Sequence, residues 1–125
     1  MFRTCYDDAR RLLTAELKGF WDMRTFTAYQ SELRALHAKI RVRHGNYRFL
    51  AESSEFAVQS PEISMAFEQL ANDLSSGNKG PFAIVAGTRI NKMQAQRVLP
   101  TPNLRVFMDR DEAIAWLFEE GRLPA

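Results

Sequence analysis

The stretch Gly80-Pro81-Phe82-Ala83-Ile84-Val85-Ala86-Gly87-Thr88 decides the fold of this chain. Its five central residues are all apolar, and glycines stand near both ends of the run. Five residues are too few for a helix, and an apolar run without alternation is typical of a strand buried on both faces of a sheet. Helical patterns precede and follow the run, which indicates an α/β domain with a parallel sheet.

Composition sets the broad class of the protein. A chain of 125 residues is long enough for one domain with its own core, so we expect a single domain over residues 1–125. No segment approaches the run of about 18 apolar residues that a membrane span requires. Cys5 is the only cysteine, and the first residues lack the pattern of a secretory signal. We therefore expect a cytoplasmic protein without a disulfide or a transmembrane segment.

Charge is distributed in blocks along the sequence. The net charge of +2 is too small to indicate a nucleic-acid partner, and we expect none. Residues 34–48 and 79–105 each carry five Lys or Arg and no acid, whereas residues 52–73 carry five acids and no Lys or Arg. Such blocks are either interaction faces or the solvated sides of helices.

The first part of the sequence predicts a hairpin followed by a helix. Alternation from Phe2 to Tyr6 and from Leu13 to Lys18 is typical of two half-buried strands, with a turn at Asp7-Asp8-Ala9-Arg10 between them. Asp22, or Thr25 three residues later, can cap the helix. Apolar residues then recur every three or four positions, which predicts one buried helical stripe.

The middle of the sequence predicts a third strand and a second helix. We expect the strand from Tyr47 to Ala51 and a polar connection over Glu52-Ser53-Ser54-Glu55. Ser60 as the N-cap and Pro61 at the first helical position open the helix. The segment from Ser75 to Gly80 is a loop by composition, and it leads into the central strand.

The last part predicts two more helices and a fifth strand. Thr88 can cap a third helix that runs to about Leu99, before the prolines that follow. Its apolar stripe is thin and consists of Ile90, Met93, Ala95 and Val98. A strand is expected over Leu104–Phe107, and Asp109 can cap a final helix that ends near Gly121.

The predicted order is ββαβαβαβα, with five strands and four helices. The first two strands form a hairpin, so one edge strand of the mostly parallel sheet is antiparallel to the others. Right-handed crossovers would place helices on both faces of this sheet.

The sequence resembles the SpoIIAA-like branch of the STAS superfamily, which is close to the SEC14-like folds. Three features carry the resemblance beside the order of elements. They are Gly19-Phe20-Trp21 at the exit of the second strand, the buried strand Phe82-Ala83-Ile84-Val85, and the closing segment from Arg105 to Leu117, where Glu-Ala-x-Ala-Trp-Leu follows a strand ending in Phe. The resemblance spans nearly the whole chain and implies a STAS-like fold.

Regulatory members of this family act through protein–protein contacts. The resemblance implies that a partner kinase would recognise a serine in an Asp-Ser-Ser-Gly-like turn where the third strand meets the second helix. The matching segment here reads Glu52-Ser53-Ser54-Glu55-Phe56, so Glu replaces Asp and Glu55-Phe56 replaces the glycine. The segment therefore departs from the motif that the phosphorylated members share.

The carboxyl ends of the parallel strands form the expected ligand crevice. The candidate binding residues at these ends are Ser53, Ser54, Ser60, Gly87, Thr88 and Arg89. Thr88 and Arg89 at a helix N-terminus could bind an anion, although Gly-Thr is also an ordinary turn with a cap. The sequence contains no phosphate-binding loop, nucleophile elbow or clustered metal ligands, so we expect no catalytic residue, no metal and no cofactor.

Apolar residues on predicted loops are the other candidates. They are Phe20, Trp21, Phe56, Val58 and Met108. Side chains of this kind form a lid over an internal pocket, a contact surface for a second copy, or anchors that pin the loops to the core.

Together these features predict a non-enzymatic regulatory or interaction module of the STAS/SpoIIAA-like type. It would act by binding a protein or a small ligand, and we expect a homodimer. The alternative is a carrier or sensor of an apolar, lipid-like ligand in a SEC14-like pocket.

Overall fold

The computed structural model describes residues 1–98 and 103–124. Its strands are β1 (Phe2–Asp7), β2 (Leu12–Gly19), β3 (Arg48–Phe56), β4 (Phe82–Ala86) and β5 (Leu104–Phe107). Its helices are α1 (Met23–Arg43), α2 (Pro61–Gly77), α3 (Arg89–Val98) and α4 (Arg110–Leu117). The strands lie in the order β1-β2-β3-β4-β5, and only β1 and β2 pair in the antiparallel sense. The predicted α/β domain, with a five-stranded sheet and one antiparallel edge strand, is confirmed.

The predicted caps set where the helices begin. The Asp22 carboxylate accepts a hydrogen bond from the Thr25 amide at 2.8 Å, so Asp22 rather than Thr25 is the N-cap of α1. The Ser60 hydroxyl accepts from the Ile63 amide, and the Asp109 carboxylate accepts from the Asp111 amide. Each cap satisfies a backbone donor that the first turn of a helix leaves unpaired.

Three boundaries differ from the prediction by three or more residues. The final helix α4 ends at Leu117 and not near Gly121, because the chain forms turns from residue 118 onward. The polar segment Glu52-Ser53-Ser54-Glu55 continues β3 instead of forming a connection, because Glu52 and Ser53 pair with β4 and the Glu52 carboxylate meets Arg110 at 3.3 Å. The predicted loop from Ser75 begins too early, since α2 extends to Gly77. The Ser76 hydroxyl donates to the Asp73 carbonyl there, which lets a polar residue remain within the helix.

Both glycines beside β4 are required by close contacts with β3. A Cβ atom on Gly80 would lie 2.0 Å from the Tyr47 carbonyl oxygen, and one on Gly87 would lie 1.9 Å from the Ser54 carbonyl oxygen. No other residue type fits at these distances, which explains why glycines flank the apolar run.

Helices cover both faces of the sheet, as predicted, but unequally. α1, α2 and α3 pack on one face, and α4 packs on the other. Alternate residues of β4 divide between the faces: Ile84 and Ala86 join the first core, and Ala83 and Val85 join the second. The strand is therefore buried on both sides, as its continuous apolar sequence indicates.

The predicted apolar stripe of α3 is wrong at Ile90 and Met93, whereas Ala95 packs against the core as predicted. Ile90 and Met93 are exposed, whereas Asn91, Gln94 and Ala95 are half-buried. The reason is that α3 attaches through polar contacts, with the Asn91 amide donating to the Phe56 carbonyl at 2.7 Å. The Val98 side chain and the predicted end at residues 99–102 lie outside the part of the chain that the structure describes.

Candidate functional site

A cavity of about 130 Å³ lies between the sheet and the three helices of its first face. Inward side chains of β2, β3 and β4, such as Leu17, Phe49 and Ile84, form its floor, and α2 covers it with residues that include Phe67 and Leu70. The lining also includes residues of α1 and α3, so the cavity extends beneath α2 from one of these helices towards the other.

Alanines on facing elements account for the space. Ala51 and Ala86 line the cavity from the strands, Ala71 lines it from α2, and Ala95 lines it from α3. A methyl side chain cannot fill the volume that a branched residue occupies at other inward positions, so packing leaves a gap. The apolar stripes of α1 and α2 predict that most of the lining residues on these helices are buried. The spacing of a stripe does not indicate whether a cavity lies beside it. The alanines are the one signal in the sequence that could have indicated it.

The lining is neutral and mostly hydrocarbon. None of the described lining residues carries a charge, and five of them have aromatic rings: Tyr29, Phe49, Phe56, Phe67 and Phe82. A charged ligand would lose its hydration here without a compensating partner. The cavity therefore suits an uncharged, largely apolar molecule.

Two polar residues of the lining are fully engaged with the protein. The Ser53 hydroxyl donates to the Val85 carbonyl at 2.7 Å. The Gln59 side chain accepts from the Trp21 amide and donates to the carbonyls of Gly19 and Ala57. The Ser53 bond joins β3 to β4, and the Gln59 bonds hold the segment after β3 against the end of β2, so both side chains act as supports of the cavity wall.

The remaining polar contacts join α3 to α2 and to the end of β3. The Gln94 amide reaches the Ser64 hydroxyl at 3.5 Å, and Asn91 makes its bond to the Phe56 carbonyl. All three side chains are half-buried, which makes this the most solvent-accessible polar part of the lining.

Phe56 is not on a loop as predicted, because it is the last residue of β3, and it lines the cavity. Trp21, also predicted on a loop, packs against Phe56. The ring of Phe56 makes edge contacts with Trp21 at 5.2 Å and with Phe67 at 5.5 Å between centroids. Trp21 is only 2% exposed, and its indole N–H donates to the Lys18 carbonyl at 2.8 Å. It is an anchor for the β2–α1 connection and does not line the cavity.

The other three loop residues are exposed. Phe20 is 68% exposed and Val58 is 46% exposed, and the bond from the Ala57 amide to the Gly19 carbonyl brings their segments together. Met108 lies elsewhere, in the lining of a second depression to which Lys92 and Glu112 also contribute.

The predicted serines do not converge on one point. Ser53 is buried and faces the cavity, whereas the next residue of the strand, Ser54, is exposed and donates to the Glu52 carboxylate at 2.6 Å. Consecutive strand residues point to opposite faces, so the two hydroxyls cannot serve the same site. Ser60 caps α2 with its hydroxyl.

The candidate anion site at the start of α3 has a structural explanation for two of its residues. Gly87 lies against the Ser54 carbonyl, and the Thr88 hydroxyl accepts from the Asn91 amide at 3.1 Å as the cap of α3. Arg89 is exposed and makes no ion pair with any residue that the structure describes.

The basic and acidic blocks of the sequence meet within the chain. The Arg34 guanidinium of α1 contacts the Asp73 carboxylate of α2 at 2.8 Å. Hydrogen bonds from Arg34 first, and then from Gln69, hold the pKa of Asp73 below its usual range. Both side chains of the ion pair remain partly solvated, so this contact contributes little to stability.

Within residues 1–98 and 103–124, no group of three or more His, Cys, Asp or Glu side chains could hold a metal ion. None of the helices in that part of the chain combines the length and the apolar character that crossing a membrane requires.

Comparison with known proteins does not identify a family for this chain. No model of a known protein family matches the chain, and no curated protein matches it significantly. The resemblance to the STAS superfamily therefore stays a prediction, and the cavity is the feature from which a function can be argued.

Proposed function

We propose that this chain is a non-enzymatic binding module that takes one small, uncharged, apolar molecule in the cavity beneath α2. The cavity itself, about 130 Å³ with a neutral lining, is the observation that supports the proposal. Protein interiors are close-packed, and voids larger than a water molecule are few in a domain. A well-formed apolar pocket is the default binding-site hypothesis in a protein of unknown function.

The volume limits the size of the ligand. An engineered apolar cavity of about 150 Å³ binds benzene or xenon. The cavity of about 130 Å³ is close to that size, so it suits a single six-membered ring or a short branched chain. A full lipid tail exceeds this volume and could enter only in part. The proposed ligand is therefore a small molecule in place of the lipid-like ligand of the SEC14-like alternative.

The expected affinity is modest. Burial of about six carbon atoms contributes roughly 5 kcal/mol, at about 0.8 kcal/mol for each CH₂ equivalent. This free energy corresponds to a dissociation constant on the order of 0.1–1 mM. Such an affinity fits a sensor or carrier that equilibrates quickly with its ligand.

No chemical step is part of the proposal. The described lining residues include no carboxylate, imidazole, thiol or ammonium group that could transfer a proton or attack a substrate. The proposal therefore concerns binding alone.

Benzene binding tests the proposal. Isothermal calorimetry and thermal unfolding with benzene as the probe should give one site and a rise in Tm with benzene concentration. Ala71→Leu fills the cavity from α2 and should abolish both signals. Ala38→Leu makes the same change at an exposed position of α1 and should leave them intact.

Two outcomes would contradict the proposal. One is a wild-type protein whose Tm does not change at any benzene concentration up to saturation of the buffer. The other is benzene binding that Ala71→Leu and Ala38→Leu affect equally, because the probe would then occupy some other site.

Self-association as a homodimer is the second candidate function. Two exposed apolar side chains, Phe20 and Val58, favour it. The Lys18 ammonium and the Glu55 carboxylate form an ion pair at 3.3 Å near the ends of β2 and β3, a few residues before Phe20 and Val58. An apolar centre with both signs of charge at its rim can meet its own copy across a twofold axis. Sedimentation of the wild type and of a Phe20→Ser, Val58→Ser variant measures this association.

A further inference from the structure

The strand β1 lies at the edge of the sheet, where one row of its backbone groups has no strand beside it. The Met1 amine donates to the Lys18 carbonyl, and the Lys18 amide donates to the Met1 carbonyl. Hydrogen-bonded pairs of this kind recur at every second position of an antiparallel ladder. The backbone groups that face away from β2, towards the open edge, are therefore those of Phe2, Thr4 and Tyr6.

The sequence of β1 does not protect this edge. Natural proteins protect exposed edge strands with a proline, a bulge or a covering segment. β1 pairs with β2 without a shift of register over all six of its residues, and it contains no proline. Its charged residues, Arg3 and Asp7, have opposite signs and lie two positions before and two positions after Cys5. Such a strand is complementary to a second copy of itself that runs in the opposite direction.

The backbone and the charges together select one register for such a pair. Edge-facing backbone groups must meet edge-facing groups, so a twofold axis has to pass through a residue and not between two residues. An axis through Arg3 or Asp7 would place like charges opposite each other. An axis through Thr4 or Tyr6 would place one charged residue opposite Cys5. Only an axis through Cys5 places Arg3 of each copy opposite Asp7 of the other.

The helix α1 lies above β1 and leaves room for this approach. The Thr4 hydroxyl donates to the Glu32 carboxylate at 2.5 Å, which places Glu32 on the flank of α1 nearest to the edge. The neighbours of Glu32 one turn away on the helix surface, Ala28 and Ala35, are exposed and small. Side chains of this size let the α1 helices of two copies lie side by side.

We propose that β1 binds β1 of a second copy in the antiparallel sense, with Cys5 at the twofold axis, so that the two five-stranded sheets become continuous. The edge-facing backbone groups of Thr4 then bond to those of Tyr6 in the other copy. This interface does not rest on the cavity, and it is separate from the exposed surface of Phe20 and Val58.

Disulfide trapping tests the register. In this arrangement the two Cys5 residues form a non-hydrogen-bonded pair with Cα atoms about 4.5 Å apart, a distance that a disulfide can bridge. Oxidation of the wild type with diamide should give a cross-linked dimer on a non-reducing gel. The matched control is Cys5→Ser, Thr14→Cys, which moves the thiol to the residue opposite Cys5 on β2. The two new thiols would lie three strand spacings apart, about 14 Å, and should not cross-link.

Exchange of the charges tests the complementarity. Arg3→Asp and Asp7→Arg each place like charges across the interface, so each should weaken the dimer at least about tenfold in sedimentation equilibrium. The double variant Arg3→Asp, Asp7→Arg should return the dissociation constant to within about threefold of its starting value. An ion pair within one copy, such as that of Arg3 with Glu16 at 3.9 Å, would not be restored by this exchange. All are measured with Phe20→Ser and Val58→Ser present, so that association through that surface does not contribute.

The expected result is a cross-link at Cys5, none at Thr14→Cys, and recovery of the dimer in the double charge variant. No cross-link in the wild type, or an equal cross-link in the Thr14→Cys control, would overturn the proposal. A dimer that the double charge variant does not recover, although circular dichroism shows it to be folded, would also overturn it. Loss of the Cys5 cross-link in Phe20→Ser, Val58→Ser would assign the dimer to that other surface and contradict the proposal.

Discussion

The two faces of the sheet are built from neighbouring residues of the same strands, yet they pack differently. Leu50 and Ala83 lie on the face that α4 covers, and both are fully buried in one cluster with Ala113. Ala51 and Ile84, the next residues along β3 and β4, lie on the other face and line the cavity. Both faces are apolar, so hydrophobicity alone does not decide where a cavity forms.

The difference lies in where the large side chains stand. On the cavity face, Phe49 and Phe82 stack at 4.6 Å near the amino ends of their strands, and Phe56 and Phe67 meet near the carboxyl end of β3. Between these two aromatic pairs the facing positions include alanines. The alanines between these pairs cannot fill the space between α2 and the sheet.

The largest expected effect comes from truncating one leucine on each face. Leu50→Ala removes a fully buried side chain from the α4 face and should lower the free energy of unfolding by about 4 kcal/mol. Leu70→Ala should cost only about 2 kcal/mol, because Leu70 borders the cavity and already lacks contacts on one side. Urea-induced unfolding measures both values, and equal costs would contradict the difference between the faces.

Enlarging one alanine on each face tests the same comparison in the opposite direction. Ala113→Leu should lower the free energy of unfolding by about 2 kcal/mol, since the α4 face has no room for the added carbons. Ala71→Leu should change it by less than about 0.5 kcal/mol, because the added atoms enter the cavity. Chemical denaturation provides the measurement. A cost for Ala71→Leu as large as that for Ala113→Leu would show that the space does not exist.

A smaller change in the free energy of unfolding is expected when the pH is lowered. It should arise from His37 of α1, one of the helices on the cavity face of the sheet. Burial first, and then the charges of Arg41 and Arg34, lower the pKa of His37, whose Nδ1 bonds to the Tyr47 hydroxyl. The unfolded chain therefore binds a proton at His37 more tightly than the folded chain does. The free energy of unfolding keeps its full value above about pH 6.5, the ordinary pKa of histidine, and decreases as the pH falls below that value. Solvent screening keeps the change modest because His37 is only partly buried.

Urea unfolding midpoints of the wild type and His37→Gln, measured across this pH range, test that expectation. In His37→Gln the unfolding midpoint should no longer decrease between about pH 6.5 and the lower pKa that His37 has in the folded state. A variant that keeps the wild-type slope would assign the pH dependence to other groups.

The smallest effect on stability is expected at the exposed loop residues. The double substitution Phe20→Ser, Val58→Ser should change the free energy of unfolding by less than about 0.5 kcal/mol, since both side chains are largely exposed. It should weaken self-association in sedimentation experiments and leave benzene binding unchanged. A loss of benzene binding would show that the probe occupies this surface and not the interior.

The sequence predicts the architecture well because its signals are local. Asp22, Ser60 and Asp109 cap helices through residues two or three positions away, and the apolar run of β4 needs no partner to be recognised. The extent of β3 depends on more distant residues, since Glu52 meets Arg110, which lies 58 positions further along the chain.

The site is harder to predict for the same reason. The orientation of α3 depends on the contact of Asn91 with the end of β3, which the local sequence does not reveal. The spacing of Ile90 and Met93 therefore predicts that they are buried, whereas both are exposed. The cavity depends on how four alanines from different elements face one another, which no single stretch of sequence reveals.

The most direct test of the central claim is a crystal structure of the protein soaked in bromobenzene, with the bromine located by its anomalous scattering. The account predicts one principal bromine peak in the cavity, within contact of Phe67 and Ala71, and no such peak in crystals of Ala71→Leu. A bromine peak found only at the surface beside Phe20 and Val58, or none in the protein at all, would contradict it.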